Sequence, residues 1–246
     1  GIANSVTIAY VAPAQNDATI QLNNADKFTF KNLSVTTGTN YGQCFALNGA
    51  SDNDSIVGCN LTSSTVANSY NAVIMAYTGY TSFNGINLVI KDNVMNGGYY
   101  SCWVYPSTYQ PGYVIDNNQI LNSGYMGAYI FYSYGIKFRN NTISAAPAAS
   151  AYYGLYCYYS YQNTVNNESP DISGNKINGF YGMGMYLYEV RGSATSRARV
   201  VNNSVIMKSS TLCYYGMYLY YPIEADIRNN TIINNGTINN YDFTYS

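Results

Sequence analysis

Acid–base or nucleophilic chemistry in this chain would have to run without imidazole, because histidine is absent from all 246 residues. That removes His-dependent triads and the usual nitrogen ligand of zinc. The groups left are twelve carboxylates, five cysteines, thirty tyrosines and the eleven lysines and arginines. The carboxylates are Asp17, Asp26, Asp52, Asp54, Asp92, Asp116, Glu168, Asp171, Glu189, Glu224, Asp226 and Asp242. A glycosidase would need two of them facing each other across a cleft. Asp52-Asn53-Asp54 opens like a calcium loop but lacks the remaining oxygen ligands at their offsets, so it reads as a turn. Cys44, Cys59, Cys102, Cys157 and Cys213 are odd in number, widely spaced and without a Cys-x-x-Cys pair. Most fall at inward-alternating positions and read as small buried hydrophobes, with a disulfide as the lesser alternative. No catalytic residue, metal ligand or cofactor is assigned.

The elements that would position any site come from a repeat. An apolar residue, two polar residues (usually Asn) and a second apolar residue recur as Ile90 to Met95, Ile115 to Ile120, Phe138 to Ile143, Ile172 to Ile177, Val200 to Val205 and Ile227 to Ile232. Weaker copies span Ile56 to Leu61, with Cys59 in the Asn place, and Phe30 to Val35, with Leu33 there. The anchors 33, 59, 93, 118, 141, 175, 203 and 230 are spaced by about 28 residues on average, a solenoid period. Between them, Gly127 to Tyr132, Gly154 to Tyr158, Gly184 to Tyr188 and Gly216 to Tyr220 superimpose and alternate with period two. Each is a strand with one buried face. Leu155, Cys157, Met185, Leu187, Met217 and Leu219 point inward and tyrosines outward. The recurring leucines of a leucine-rich repeat are missing, and a propeller blade needs roughly 40 residues or more. The expected fold is all-β: a right-handed parallel β-helix of about eight to nine coils, a rod roughly 40 Å long, forming a single domain over 1–246.

Stacking the coils assigns roles. Asn93, Asn118, Asn141, Asn175, Asn203 and Asn230 hold a fixed place relative to flanking apolar residues, so their amides should bond from coil to coil as an internal ladder; plain turn propensity is the rival explanation. The column Val89, Val114, Lys137, Asp171, Arg199, Asp226, the column Lys91, Asp116, Arg139, and the pair Arg197 and Glu224 bring opposite charges together. Ion pairing is therefore the reading for Asp116, Asp171, Glu224 and Asp226, at a few tenths of a kcal/mol each. Two outward columns are aromatic: Phe45, Ile74, Trp103, Tyr129, Tyr156, Tyr186, Tyr218, and Leu47, Ala76, Tyr105, Phe131, Tyr158, Tyr188, Tyr220. So large a strip suits three purposes: a lateral contact with another copy or domain, a face for stacking sugar rings, or mutual ring stacking that stabilises the sheet.

Only 9% of residues are charged and the net charge is −1, against about a quarter in ordinary domains. That leaves no electrostatic footprint for nucleic acid and no basic face for an anionic membrane. No apolar run approaches the ~18 residues of a membrane span. A polar, uncharged surface suits an extracellular setting. The sequons at Asn32, Asn60, Asn140, Asn202, Asn229 and Asn235 overlap the corner motif and read as compositional. Neither terminus shows a capping helix, and the chain is expected to be a piece of a longer array.

The repeat resembles the right-handed parallel β-helix family, shared by pectate lyases, polygalacturonases, phage tailspikes and many bacterial surface proteins. More narrowly, Thr19 to Leu33, continued by Gly42 to Gly49 and Asn53 to Leu61, is similar to very large secreted proteins of gliding-type Gram-negative bacteria exported by the type IX system. The resemblance implies fold and secretion, not activity. Lyases on this fold cluster Asp around calcium, with Arg or Lys as base, and glycosidases gather Asp in a cleft; neither set can be assembled here. The expected function is that of a non-catalytic extracellular structural protein, a filament, surface layer or adhesin that self-associates. The alternatives are a glycan-binding module using the tyrosine strip, and then a polysaccharide lyase or hydrolase.

Overall fold

The computed structural model describes residues 6–11, 17–38, 42–65, 71–77, 82–147, 150–209, 213–235 and 241–245. Three all-parallel sheets wind around one axis as a solenoid of about eight turns. Sheet 1 has nine strands, sheet 2 ten and sheet 3 eight, and no helix occurs among the described residues. The chain visits the sheets in fixed order: a short strand of sheet 3, a sharp corner, a short strand of sheet 1, then a long strand of sheet 2. The longest are Met126–Tyr134, Tyr153–Tyr161 and Met183–Arg191, each of nine residues.

The apolar residues of the repeat fill the interior in stacked columns. Ile56, Ile90, Ile115, Phe138, Ile172 and Val200 lie in register on sheet 3. Leu61, Met95, Ile120, Ile143, Ile177 and Val205 do so on sheet 1. From sheet 2, Leu155, Cys157, Met185, Leu187, Met217 and Leu219 complete the core as expected, all 1% exposed or less. All five cysteines are free and buried, and burial pushes the thiols of Cys44, Cys102 and Cys157 up to about 12.

The corner between sheets 3 and 1 resolves the two asparagines of the motif into two jobs. The first residue takes the left-handed conformation in every coil: Asn32, Gly58, Asp92, Asn117, Asn140, Gly174, Asn202 and Asn229, with φ between 55° and 68°. Only Gly, Asn and Asp adopt that conformation at little cost. The second residue turns inward and forms the ladder. Asn118 Nδ2 and its backbone N–H both donate to Asn141 Oδ1 at 3.0 Å, and Nδ2 also donates to the Ile90 carbonyl at 2.9 Å. The same three bonds link Asn93 to Asn118, Asn141 to Asn175, Asn175 to Asn203 and Asn203 to Asn230. At the ladder's head the Cys59 N–H donates to Asn93 Oδ1 at 2.9 Å. Turn propensity and ladder, posed as rivals, are both present on adjacent residues.

A glycine column sets the approach of sheet 2 to sheet 1. A methyl added at Gly127, Gly154 or Gly184 would run into Ile143, Ile177 or Val205 and into the carbonyl oxygen of the glycine one coil on.

The aromatic columns need one correction. Cys102, not Trp103, stands beside Ile74, and Ile74 beside Phe45; Val104 stands beside Ala76. Phe45, Ile74, Leu47 and Ala76 are therefore core residues, and the outward places belong to Ala46, Met75 and Tyr77. The first two coils were placed one residue out of register, which exchanges the two faces of a strand. In Gly42–Asn48 and Asn71–Tyr77 both faces are apolar, so alternation carries no parity signal there.

Candidate functional site: a tyrosine-faced sheet

From the coil of Trp103 onward the expected residues come together on the outside of sheet 2. Trp103, Tyr129, Tyr156, Tyr186 and Tyr218 form one column in register. Tyr105, Phe131, Tyr158, Tyr188 and Tyr220 form the other. In the second column the rings stack face to face without a break, with centroids 4.3, 4.9, 4.1 and 4.5 Å apart and planes within 20°. In the first, Tyr156, Tyr186 and Tyr218 stack at 4.5 and 5.1 Å with planes 17° and 5° apart. Coil spacing is close to the optimum for ring stacking, so parallel in-register strands make such columns self-supporting.

This geometry decides how the strip can be used. Within the columns ring faces are covered by neighbouring rings, and what the surface presents is ring edges and phenol groups. Sugar stacking needs a free ring face, which the interior of a column does not offer. Burial, followed by neighbouring phenols, pushes Tyr186 up to about 12 and raises Tyr129, Tyr153 and Tyr156 as well. At one end the strip closes over itself: Trp103 (6% exposed) packs with Ala72 and Met75 under Tyr77, Tyr100, Tyr105 and Tyr129 as a second apolar cluster outside the solenoid wall.

Two aromatic rows were missed by the sequence reading. Tyr99 and Tyr125 stack at 4.9 Å, and Tyr152 continues their line towards Tyr214. Tyr132 and Tyr159 stack at 5.6 Å with planes 4° apart. The second row sits on a corner where Tyr132, Tyr159, Glu189 and Tyr221 all have φ between 45° and 56°. Nothing in the residue types announces that conformation, which disfavours bulky side chains.

The expected charge columns form as registered, Val89 to Asp226 and Lys91 to Arg139. Asp116 pairs with Arg139 at 2.9 Å, Asp171 with Arg199 at 3.0 Å, and Glu224 with Arg197 at 3.8 Å. Asp226 stands beside Arg199 but pairs with Arg228 of its own strand at 2.9 Å. Lys137, beside Asp171, instead donates to the Ser169 carbonyl at 3.1 Å. Asp52-Asn53-Asp54 is a turn: Asn53 is left-handed, Asp52 accepts the Ile86 N–H and Asp54 the Phe28 N–H. Burial, with Asp26 and Asp52 nearby, raises the Asp54 carboxyl. Glu189 accepts a 2.6 Å hydrogen bond from the Tyr161 hydroxyl and pairs with Arg191 at 2.6 Å, a network the sequence did not suggest.

No family model matches the chain, and no curated protein does. Among solved structures the Dettilon tailspike protein (gp208) is similar, with a TM-score of 0.54 and 11% identity over 88% of this chain and 46% of that one. The chain thus spans about half the length of the tailspike it matches. At such identity the likeness carries the fold alone: a parallel β-helix, as in a tailspike.

Proposed function

We propose that the chain is a non-catalytic extracellular structural β-helix that associates laterally with copies of itself through the tyrosine face of sheet 2. The observation that supports this most is the closure of ring faces inside the columns, which leaves a rigid strip of phenol edges. A phenol hydroxyl both donates and accepts, so such a strip is complementary to itself, as a two-fold contact requires. A chain with 9% charged residues and net charge −1 brings little repulsion to that encounter. Export in the manner of the large surface proteins of gliding bacteria accompanies this reading.

Sedimentation velocity over a dilution series tests it. Species larger than one chain are expected to grow with concentration, and Y156F/Y186F/Y218F, which keeps the stacks and removes the hydroxyls, is expected to weaken them. A single-chain species at every concentration would overturn the proposal. Glycan binding along the columns is the weaker reading, for want of free ring faces.

A further inference from the structure

Beside the tyrosine face lies a notch of about 360 Å³ lined by Tyr109, Pro111, Tyr134, Asn163, Thr164 and Val165. We propose that it is a binding site for a single neutral pyranose ring of a glycan, separate from the stacked columns.

The inference rests on how the notch is built. Its floor is Tyr109, which reaches across two coils to stack on Tyr161 at 5.0 Å and lies 5.2 Å from Tyr134. Tyr161 in turn donates to Glu189 at 2.6 Å, Glu189 is held by Arg191 at 2.6 Å, and the Arg191 guanidinium lies 5.1 Å from the Tyr161 ring centre. An ion pair thus anchors the ring from behind, and a preorganised platform loses little freedom when a ligand arrives.

The wall is the turn between Asn163 and Glu168, the one antiparallel bridge among the described residues, closed by hydrogen bonds of 2.7 and 3.1 Å. Its own side chains brace it: Asn163 Oδ1 accepts the Val165 N–H, and Asn166 donates to Glu168. At its tip Val165 is 95% exposed, an apolar side chain that the fold of the rod does not require. No repeat of the solenoid calls for this excursion.

The lining selects the ligand class. It combines aromatic and apolar surface with the amide of Asn163 and the hydroxyl of Thr164, and it carries no charged side chain. The nearby carboxylate of Glu189 is engaged by Tyr161 and Arg191, so neither a cation nor an anion is favoured. A pyranose ring has an apolar C–H face and a rim of hydroxyls, the complement of such a lining. The volume lies near the lower end of small-molecule sites, roughly 300–1,000 Å³.

Isothermal titration of the intact chain with maltohexaose, cellohexaose, mannohexaose and xylohexaose tests this. Saturable binding of at least one is expected. Y109A should weaken it at least about tenfold with the fold retained by circular dichroism, and K91A, on sheet 3 away from the notch, should leave it unchanged. The milder N163A should weaken it a few-fold, which keeps the test valid should Y109A misfold. Binding of no probe at about 10 mM overturns the proposal, as does binding kept in both Y109A and N163A. Binding of a proline-rich peptide with none of the sugars also overturns it. Titrating Y156F/Y186F/Y218F in parallel keeps the outcome independent of self-association, because none of those three residues lines the notch.

Discussion

Replacing Asn141 by leucine removes one rung from the middle of the internal ladder while keeping side-chain volume nearly constant. Asn141 Oδ1 accepts from the Asn118 N–H and Nδ2, and its own Nδ2 donates to the Ile115 carbonyl. The substitution leaves the Asn118 N–H, one of the two Asn118 Nδ2 protons (the other keeps Ile90) and the Ile115 carbonyl without those bonds, and takes one of two donors from Asn175 Oδ1, in a site where Asn118, Asn141 and Asn175 are 1% exposed or less. Each orphaned buried group costs about 1–3 kcal/mol, so the simple range is roughly 3–9 kcal/mol. Relaxation of the corner and admission of a water bring the expected loss to about 3–5 kcal/mol, the upper region for single substitutions. Asn230 stands at the ladder's other end, where its bonds to Asn203 are only part-buried and water can replace them. N230L is therefore expected to cost about 1 kcal/mol. Urea unfolding followed by circular dichroism gives the ranking, and amide exchange of the Asn118 N–H gives the local effect, since repeat arrays need not unfold as one unit. A loss below about 1 kcal/mol for N141L, or equal losses for N141L and N230L, would refute the ladder as a stabilising element.

Other expectations follow from the same geometry. G154A should destabilise by about 2–4 kcal/mol in a melting experiment, because the added methyl meets Ile177 and the Gly184 carbonyl oxygen with backbone on one side. D171N should cost no more than about 1 kcal/mol and the loss should shrink in 1 M salt, since the Arg199 side chain is 49% exposed. The raised thiols of Cys44, Cys102 and Cys157 stay protonated in the fold above the pH at which unfolded thiols ionise, so their stabilisation is complete below about 9 and lost as pH climbs towards about 12. Alkaline titration of stability should show that loss, and the native protein at pH 8 should resist a thiol reagent that reacts rapidly in urea.

The repeat was legible because the solenoid copies its environment from coil to coil. Asn141 and Ile143 recur at one offset because the same corner recurs, and the charge columns could be registered from that corner alone. Parity failed only where Ala46 and Met75 put apolar residues on the outer face and erased the alternation. What Tyr132, Tyr159 and Glu189 do lies outside any pattern of residue types, for a left-handed corner built on bulky side chains is imposed by the neighbouring coils. The notch was hidden for a related reason: residues 162–168 interrupt the repeat, and an insertion has no second copy to compare with. The ring stacks were visible as columns, but which ring faces remain open is a matter of side-chain torsion, which residue types along the strip do not report.

Electron microscopy of the native protein alongside Y156F/Y186F/Y218F, over a range of concentrations, shows whether the tyrosine face joins one rod to another. The native chain is expected to give rods packed side by side in ordered arrays, with the tyrosine faces at the contact, and the variant is expected to lose the arrays while single rods persist. Native rods dispersed singly at every concentration, or arrays unchanged in the variant, would contradict that expectation.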